Sequence, residues 1–450
     1  MAPCDTVTVG DNQGLGVTAR RVSVSGRVVW TFVAVIAMFA AGRLTLPGVN
    51  RVEFGHVIAH GTQLSWGAVS MVSIVALGLG PLITSFVLVE LVALAVPRLR
   101  RLRHNPEGRR KLGIAVAATA ILVACVQAYF VAVYLEALDR GGSDIVAPHM
   151  RWLIAVTLVG GTMFLVWLVS VINRRGIGNG YAVLMVAGWL MSPSWKGFGD
   201  HPPLVLALAV LAIAFVVAVV VVLTRMRVVA TGGAPIPIPS SGLVPLSDLG
   251  GVALLIKQLL ALGLFLPVGL LRFVYSAEHL IVVAVVILIL ATALWSWVFT
   301  RPSLRRDLLV RAGYAAPDLR TWFRAAVFSA IGIAAIFIVT FVTRRYVPEL
   351  GILGDPVVLA FIAATLLDLI DETRDRRRSP LVAVWPLHDP MLAAVVHDNL
   401  RAAEIPHHLQ ASRLRSLLWF FGPYVPIMVL VPEEHAVVAE KRLRELLAVG

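Results

Sequence analysis

Residues 67–91 read GAVSMVSIVALGLGPLITSFVLVEL. This stretch starts with small and hydroxyl-bearing residues and becomes a long apolar run that holds Gly78, Gly80 and Pro81 close together. Glycine and proline bend or end a helix, and a membrane tolerates the freed backbone groups only where protein or water covers them. We therefore expect a broken segment at membrane depth that faces a cavity rather than lipid. Such a segment is typical of a channel or a transporter.

The composition of the whole chain is that of a membrane protein. Apolar residues make up 58% of the 450 residues and charged residues 14%, and the mean hydropathy is +0.85. Soluble domains carry about 25% charged residues. The formal net charge is +13, but the basic residues stand in short clusters between apolar runs. That pattern indicates topology determinants rather than a nucleic-acid-binding surface.

Two motifs resemble signatures of the SecY family of protein-translocation channels. Residues 73–91, S-I-V-A-L-G-L-G-P-L-I-T-S-F-V-L-V-E-L, resemble the signature of the family's second helix, and G-A-V-S-M-V-S before them resembles its plug. Residues 167–185 resemble the signature across its fourth and fifth helices, with R-G-I-G-N-G at Arg175–Gly180. The resemblance covers about residues 27–378. It implies an all-α polytopic membrane domain of ten transmembrane helices in two pseudo-symmetric five-helix halves.

The apolar runs agree with ten spans. They are 28–42, 73–96, 113–135, 152–172, 181–191, 203–224, 250–271, 279–299, 325–343 and 353–370. Hydropathy alone leaves 181–191 undecided, because a span needs about 20 residues; the resemblance makes it a short fifth helix. With both termini in the cytoplasm, 24 of the Lys and Arg residues up to residue 378 fall inside and eight outside. This bias satisfies the positive-inside rule.

The chain divides by pattern into a cytoplasmic tail (1–27), a channel domain (28–378) and a small α+β cytoplasmic domain (379–450). In the last segment LVAVW, IPHHLQ and VPIMVLV are strand-like, while Pro390–Ala403 and Glu433–Leu447 are helix-patterned. The segment resembles a small family of prokaryotic signal-transducing domains. That resemblance implies no activity.

The SecY resemblance also implies roles for particular residues. A constriction of apolar side chains would seal the pore, because a narrow hydrophobic neck dewets; ordinary helix packing is the alternative explanation for the same residues. The predicted pore ring is Leu79, Ile83, Met185, Ile256 and Phe361. The predicted plug includes Gly67, Ala68 and Ser70, and the predicted lateral gate Thr84, Gln127 and Gln258.

The cytoplasmic loops differ from each other in what they offer to partners. The loop after the eighth span, residues 301–324, keeps the basic family pattern, and Arg311 and Arg320 are its predicted docking residues. The loop after the sixth span, RMRVVATGGAPIPIPSSG, holds only two arginines. We expect its proline- and glycine-rich tip to be solvated and unable to supply the charge that ribosomal RNA would need. Ser170 also replaces a usual acid, so a divergent paralogue is expected.

The chemistry of catalysis or metal binding is not indicated. No nucleophile–base pair, phosphate-binding loop or paired catalytic carboxylates occur, and Cys4 and Cys125 are the only cysteines, so we expect no enzyme activity, cofactor or metal. The C-terminal histidines lack a ligand pattern, and His407 and His408 would point to opposite faces of a strand.

The leading hypothesis is a SecY-like channel subunit of a bacterial cytoplasmic (inner) membrane. The resemblance implies signal sequences and nascent polypeptides as substrates and SecE-like and SecG-like small subunits as membrane partners. A SecA-like motor or a ribosome would drive transport, and a ribosome contact would be the sole contact with nucleic acid. Two alternatives remain open: a non-translocating relative that anchors a cytoplasmic regulatory domain, and a small-solute transporter that uses Lys257 and the broken second span.

Overall fold

The computed structural model describes residues 24–60, 72–96, 99, 106–139, 145–190, 202–229, 236–238, 240–242, 277–300, 315, 318–346, 356–387, 389–417 and 426–447. The chain divides into two compact units. The first comprises 1–199, 368–383 and 420–426, and the second 200–367, 384–419 and 427–450. Several predicted residues lie outside the described residues: Gly67, Ala68, Ser70, Ile256, Lys257, Gln258 and Arg311.

The described part of the first unit begins with six helices in succession along the chain. They are α1 (Val24–Arg43), α2 (Arg51–His60), α3 (Gly80–Ala95), α4 (Pro106–Asp139), α5 (Arg151–Arg175) and α6 (Gly180–Leu190). Helix α3 packs on α4, α4 on α5, and α1 on both α5 and α6. The run at 181–191 thus forms a helix, as predicted, although 11 residues reach only about 16 Å.

Helix α3 begins later than the apolar run that contains it. Residues 72–79 form turns, with an isolated bridge between Ser73 and Thr45, and the helix starts at Gly80 with Pro81 in its first turn. Gly78 has φ 58°, a left-handed conformation that ends regular structure before the helix starts. The prediction of a break at these glycines is confirmed, whereas a helix from residue 73 is wrong.

The second unit contains α7 (Pro203–Arg225), β1 (Arg227–Val228), β2 (Ile236–Pro237), α8 (Ala277–Thr300) and α9 (Leu319–Tyr346). Helix α9 packs on both α7 and α8. Helix α10 (Pro356–Arg378) belongs to the second unit up to residue 367 and to the first from residue 368.

Five helical segments in the described part of the chain are long and apolar enough to cross a membrane. They are Val24–Arg43, Lys111–Ala137, Arg151–Arg175, Pro203–Arg225 and Leu319–Thr343. Only 17% of the most apolar part of Val24–Arg43 and of Pro203–Arg225 is buried within the protein. Apolar surface on most sides of a helix is what lipid contact requires.

The segment after α10 alternates strands and helices. It consists of β3 (Leu381–Leu387), α11 (Pro390–Ala402), β4 (His408–Gln410), α12 (Ser412–Leu417), β5 (Ile427–Pro432) and α13 (Ala436–Leu447). The strands form a sheet in the order β3-β5-β4, with β4 antiparallel to β5. The predicted strands and helices are present. The six-residue helix α12 was not predicted from the sequence.

The loop after α7 is packed rather than solvated at residues 236–238 and 240–242. Strands β1 and β2 pair antiparallel, and Ile236 and Ile238 are fully buried. Beyond them the hydroxyl of Ser240 lies 2.8 Å from that of Ser296 on α8 and 3.1 Å from that of Ser329 on α9. The expectation of solvation is therefore wrong for residues 236–238 and 240–242, which isoleucine burial and buried hydroxyl bonding hold in place, whereas residues 230–235 lie outside the described residues.

Candidate functional site

The R-G-I-G-N-G motif forms a tight connection between α5 and α6 in which each glycine has a steric reason. Gly178 has φ 79°, and a Cβ atom there would lie 2.3 Å from Cδ2 of Leu369 on α10. A Cβ atom on Gly180 would lie 2.5 Å from the carbonyl oxygen of Val169, and one on Gly176 would lie 2.6 Å from the hydroxyl of Thr31. No side chain fits at these three positions without movement of a neighbour.

Two asparagines satisfy the backbone where the chain turns into α6. The side-chain oxygen of Asn179 accepts the N–H groups of Tyr181 (3.0 Å) and Ala182 (3.4 Å), so it caps the helix. The side-chain oxygen of Asn173 accepts the N–H of Gly180 at 2.7 Å.

Helix α1 holds the motif from another side. Arg27 donates from Nη1 to the carbonyl oxygen of Gly176 (3.2 Å), and the hydroxyl of Thr31 accepts the N–H of Ile177 (2.9 Å). The guanidinium of Arg175 lies 4.9 Å from the ring centroid of Trp30, a cation–π contact.

A buried carboxylate that sequence reasoning missed closes the motif. Glu372 of α10 accepts the N–H of Gly178 through Oε2 (2.9 Å) and Nε of Arg376 through Oε1 (2.7 Å). Its side chain is 1% exposed, and that of Arg376 is 8% exposed. Arg376 also donates to the carbonyl oxygen of Leu381 at 3.1 Å, where β3 begins. One ion pair therefore joins α10, the motif and the start of β3.

The segment just before α3 is fixed by backbone contacts. The N–H of Leu46 donates to the carbonyl oxygen of Val72 (2.8 Å), and the N–H of Ile74 to that of Leu44 (3.1 Å). The carbonyl oxygen of Ile74 approaches α5 at Gly161 so closely that a Cβ atom there would lie 1.8 Å from it. The chain that leaves the predicted plug is thus seated in a notch that only glycine provides.

Three of the predicted pore-ring residues lie in one apolar cluster of the first unit. Leu79 is buried in it, and Ile83 and Met185 pack against it, together with residues of α1 and α5. Phe361 is 1% exposed on α10, in the second unit, and Ile256 lies outside the described residues. The closed ring therefore stays a prediction.

The predicted gate and docking residues occupy different environments. Thr84 is exposed on α3, and Gln127 is half-buried on α4, the helix that packs on α3. Arg320 is exposed, but it lies in the first turn of α9 rather than in a loop. Asp318 caps that turn by accepting the N–H of Thr321 (2.9 Å). Hydrogen bonds from the side chain and the backbone of Thr321 lower the pKa of the Asp318 carboxyl. Gate and docking roles stay predictions.

Metal-binding geometry does not occur in the described part of the chain: no group of three or more His, Cys, Asp or Glu residues there could hold an ion. His407 pairs instead with His397, Nε2 to Nδ1 at 2.8 Å.

The SecY family model matches residues 73–354 of this chain. A protein translocase subunit SecY from Thermotoga maritima is 30% identical over 181 residues, 36% of this chain and 41% of that protein. Another from Rickettsia conorii is 31% identical over 174 residues, 36% of this chain and 40% of that protein. The matched part thus spans about 40% of the length of these curated relatives.

One solved structure supports the fold. It is a SecY protein whose plug domain stabilises the closed state of the translocation channel and maintains a membrane seal. It matches with a TM-score of 0.50 at 14% identity, over 80% of this chain and 94% of that one.

Proposed function

Because the chain belongs to the SecY family, we propose that it is a protein-conducting channel subunit that passes unfolded polypeptides across and into a bacterial cytoplasmic membrane. The observation that carries this proposal is the apolar cluster shared by Leu79, Ile83 and Met185. Leu79 immediately precedes α3, Ile83 lies on α3, and Met185 lies on α6, about a hundred residues further along the chain. A narrow apolar neck excludes ions by dewetting, yet it yields to a passing chain of any sequence.

The finer architecture is part of the same proposal. Residues 28–378 would form ten transmembrane helices in two five-helix halves, with both termini in the cytoplasm. The described apolar helices and the basic clusters between them support this topology. Residues 379–450 would form a small cytoplasmic α+β domain, and the order β3-β5-β4 with its flanking helices supports that assignment.

The partners follow from the proposed function. Small SecE-like and SecG-like membrane subunits would accompany the channel, and a SecA-like motor or a ribosome would supply energy and nascent chains that carry signal sequences. Arg320 is exposed and available for docking. The loop after α7 offers less: its residues 236, 238 and 240–242 are buried, which weakens ribosome docking there.

One alternative has an observation in its favour. The C-terminal segment packs on the hairpin that follows α7, as expected of a relative that anchors a cytoplasmic regulatory domain without translocating protein. A small-solute transporter using Lys257 predicts instead a polar cavity and stabilisation by its solute.

Site-specific crosslinking tests the channel. A photo-reactive phenylalanine derivative would replace Ile83, and a secretory chain would be stalled in membranes that hold the full-length protein. Crosslinks between Ile83 and the stalled chain are expected, because the proposed neck touches whatever passes.

The matched control is Phe130 on α4, whose side chain is 66% exposed and would face lipid. Equal yields at both positions would mean non-specific contact. Silence at Ile83 with the protein folded in the membrane would overturn translocation, and retained crosslinking after deletion of residues 381–450 would argue against the anchor alternative.

A further inference from the structure

The C-terminal segment and the hairpin after α7 cover each other. Helix α11 packs on β2, and α12 packs on α7, so the segment touches two neighbouring parts of the second unit. Helix α9 packs on both strands of the hairpin from another side. Ile236 of β2 and Ile238 directly after it are fully buried.

A single ion pair joins the described part of α11 to the hairpin. Nη1 of Arg227 on β1 lies 3.2 Å from Oδ1 of Asp398 on α11. The two side chains are 31% and 45% exposed, so water and salt screen the attraction. The packing of α11 on β2 supplies the main contact, and the ion pair fixes which face of α11 the hairpin meets.

A histidine pair stands directly beside this ion pair. Nδ1 of His407 lies 2.8 Å from the carbonyl oxygen of Ile405, which can only accept, so His407 carries its proton on Nδ1. Nε2 of neutral His407 then accepts from Nδ1 of His397 at 2.8 Å. If both rings were cationic, two N–H groups would face each other and the bond would be lost.

The charges around the pair disfavour protonation. The pKa of His397 is lowered to about 4, mainly by burial and also by the neighbouring basic groups His407, Arg227 and Arg401, against the opposing carboxylate of Asp398. Burial also lowers the pKa of His407, and His408 of β4 adds to this while the carbonyl of Ile405 and Asp398 oppose it.

We propose that the C-terminal segment is an intramolecular partner of the paired strands β1 and β2, fastened by Arg227 and Asp398 and released when the His397–His407 pair takes up protons. We call this contact the latch. A protonated His397 repels Arg227 and competes with it for Asp398, so proton uptake weakens the ion pair. While the latch is closed, a soluble partner that binds either surface has first to displace the other one.

The sign of the pH dependence follows from the shift. A released histidine titrates near its ordinary pKa of about 6.5, whereas His397 in the closed latch titrates at about 4. The open form therefore binds more protons between these values, and the latch is strongest above about pH 6.5 and weakens as the pH falls toward 4.

Hydrogen exchange measured by mass spectrometry on the full-length protein in lipid nanodiscs tests the latch. Asp398→Arg removes the ion pair, and exchange in the hairpin and in α11 should become about two- to fivefold faster, which is the range for a partly exposed pair. Combining it with Arg227→Asp should restore protection. The matched control is Arg442→Ala, which removes a 3.0 Å hydrogen bond to Asn399 beside Asp398 and should leave the hairpin unchanged.

The pH arm compares wild type with two histidine variants between pH 7.5 and 5, after correction for intrinsic exchange rates. Wild type should open up to about tenfold more at pH 5, a value reduced from the full shift because His397 is half-exposed. His397→Asn should flatten this dependence, and His435→Asn, at a half-buried position outside the latch, should keep it. Unchanged exchange in Asp398→Arg, or an equal pH dependence in His397→Asn, would overturn the proposal. Protection of β5 reports folding, and no readout depends on translocation.

Discussion

The buried pair of Glu372 and Arg376 should show strong energetic coupling. Each is changed alone to glutamine and then both together, and the free energy of unfolding of all four proteins is compared. Either single change leaves one buried charge without the other member of the pair, whereas the double change removes both charges. The double variant should therefore lose less free energy of unfolding than the two single variants lose in sum.

The magnitude follows from the burial of the two side chains. They are 1% and 8% exposed, and removal of one member of such a pair costs about 3–5 kcal/mol. We take about 3 kcal/mol for each single variant, because the pair lies in the last turns of α10. A similar loss in the double variant gives a coupling free energy of about 2–3 kcal/mol. Arg377→Gln, one residue further along and exposed, should change stability by no more than about 0.5 kcal/mol.

The assay is equilibrium unfolding by denaturing detergent in mixed micelles, combined with amide exchange at Gly178. The exchange measurement is local, because the N–H of Gly178 donates to Glu372 itself. Glu372→Gln should speed this exchange more than Arg376→Gln does. Additive losses within about 0.5 kcal/mol, or unchanged exchange at Gly178 in Glu372→Gln, would refute the assignment of Glu372 as the residue that closes the motif.

Two further changes test the glycine notch and the helix cap. Gly161→Ala should destabilise the protein by about 1–3 kcal/mol, because its Cβ atom would lie 1.8 Å from the carbonyl oxygen of Ile74; thermal unfolding should show the loss. Gly160→Ala is the matched control, since nothing lies within 4 Å of its Cβ position, and an equal loss there would contradict the notch. Asn179→Ala should cost about 1 kcal/mol by removing the cap of α6, with Asn179→Asp retaining most of it; equal losses in both variants would exclude capping as the cause.

The positions of the helices were largely readable from the sequence, because long apolar runs have few alternatives in lipid. The start of α3 shows where this reading ends. Hydropathy alone places the start of the span at residue 73, because the residues that form the turns are as apolar as those that form the helix. The glycines and Pro81 marked the break, but the turns at 72–79 depend on contacts with residues 44–46 that no local pattern reveals.

The sequence predicts the glycine motif of the candidate site but not the carboxylate that closes it. R-G-I-G-N-G stood out as a motif, but its closing residue Glu372 lies 194 positions from Gly178. A carboxylate four residues before an arginine at the end of a helix reads as an ordinary exposed pair. The signal that could have found it is the last apolar run, which places this pair close to the membrane surface.

The loop after α7 misled sequence reasoning for a related physical reason. Proline, glycine and serine are typical of solvated loops, and the two isoleucines between the prolines carried little weight beside them. Their burial depends on α9 and α11, which come from distant parts of the chain. Composition describes a loop in isolation, and here the neighbouring elements decide its environment.

The serine cluster at the end of that loop has a mechanical consequence. Ser329 donates its proton to the carbonyl oxygen of Ala325 (2.7 Å) and accepts the N–H of Ser240 (2.9 Å). The hydroxyl proton of Ser240 can then point either to Ser329 or to Ser296, and both arrangements leave the oxygens bonded. A joint with two interchangeable proton positions tolerates small sliding of α8 against α9. The serine cluster therefore permits small helix movements in the second unit, whereas the buried ion pair of Glu372 and Arg376 restrains the elements that it joins in the first.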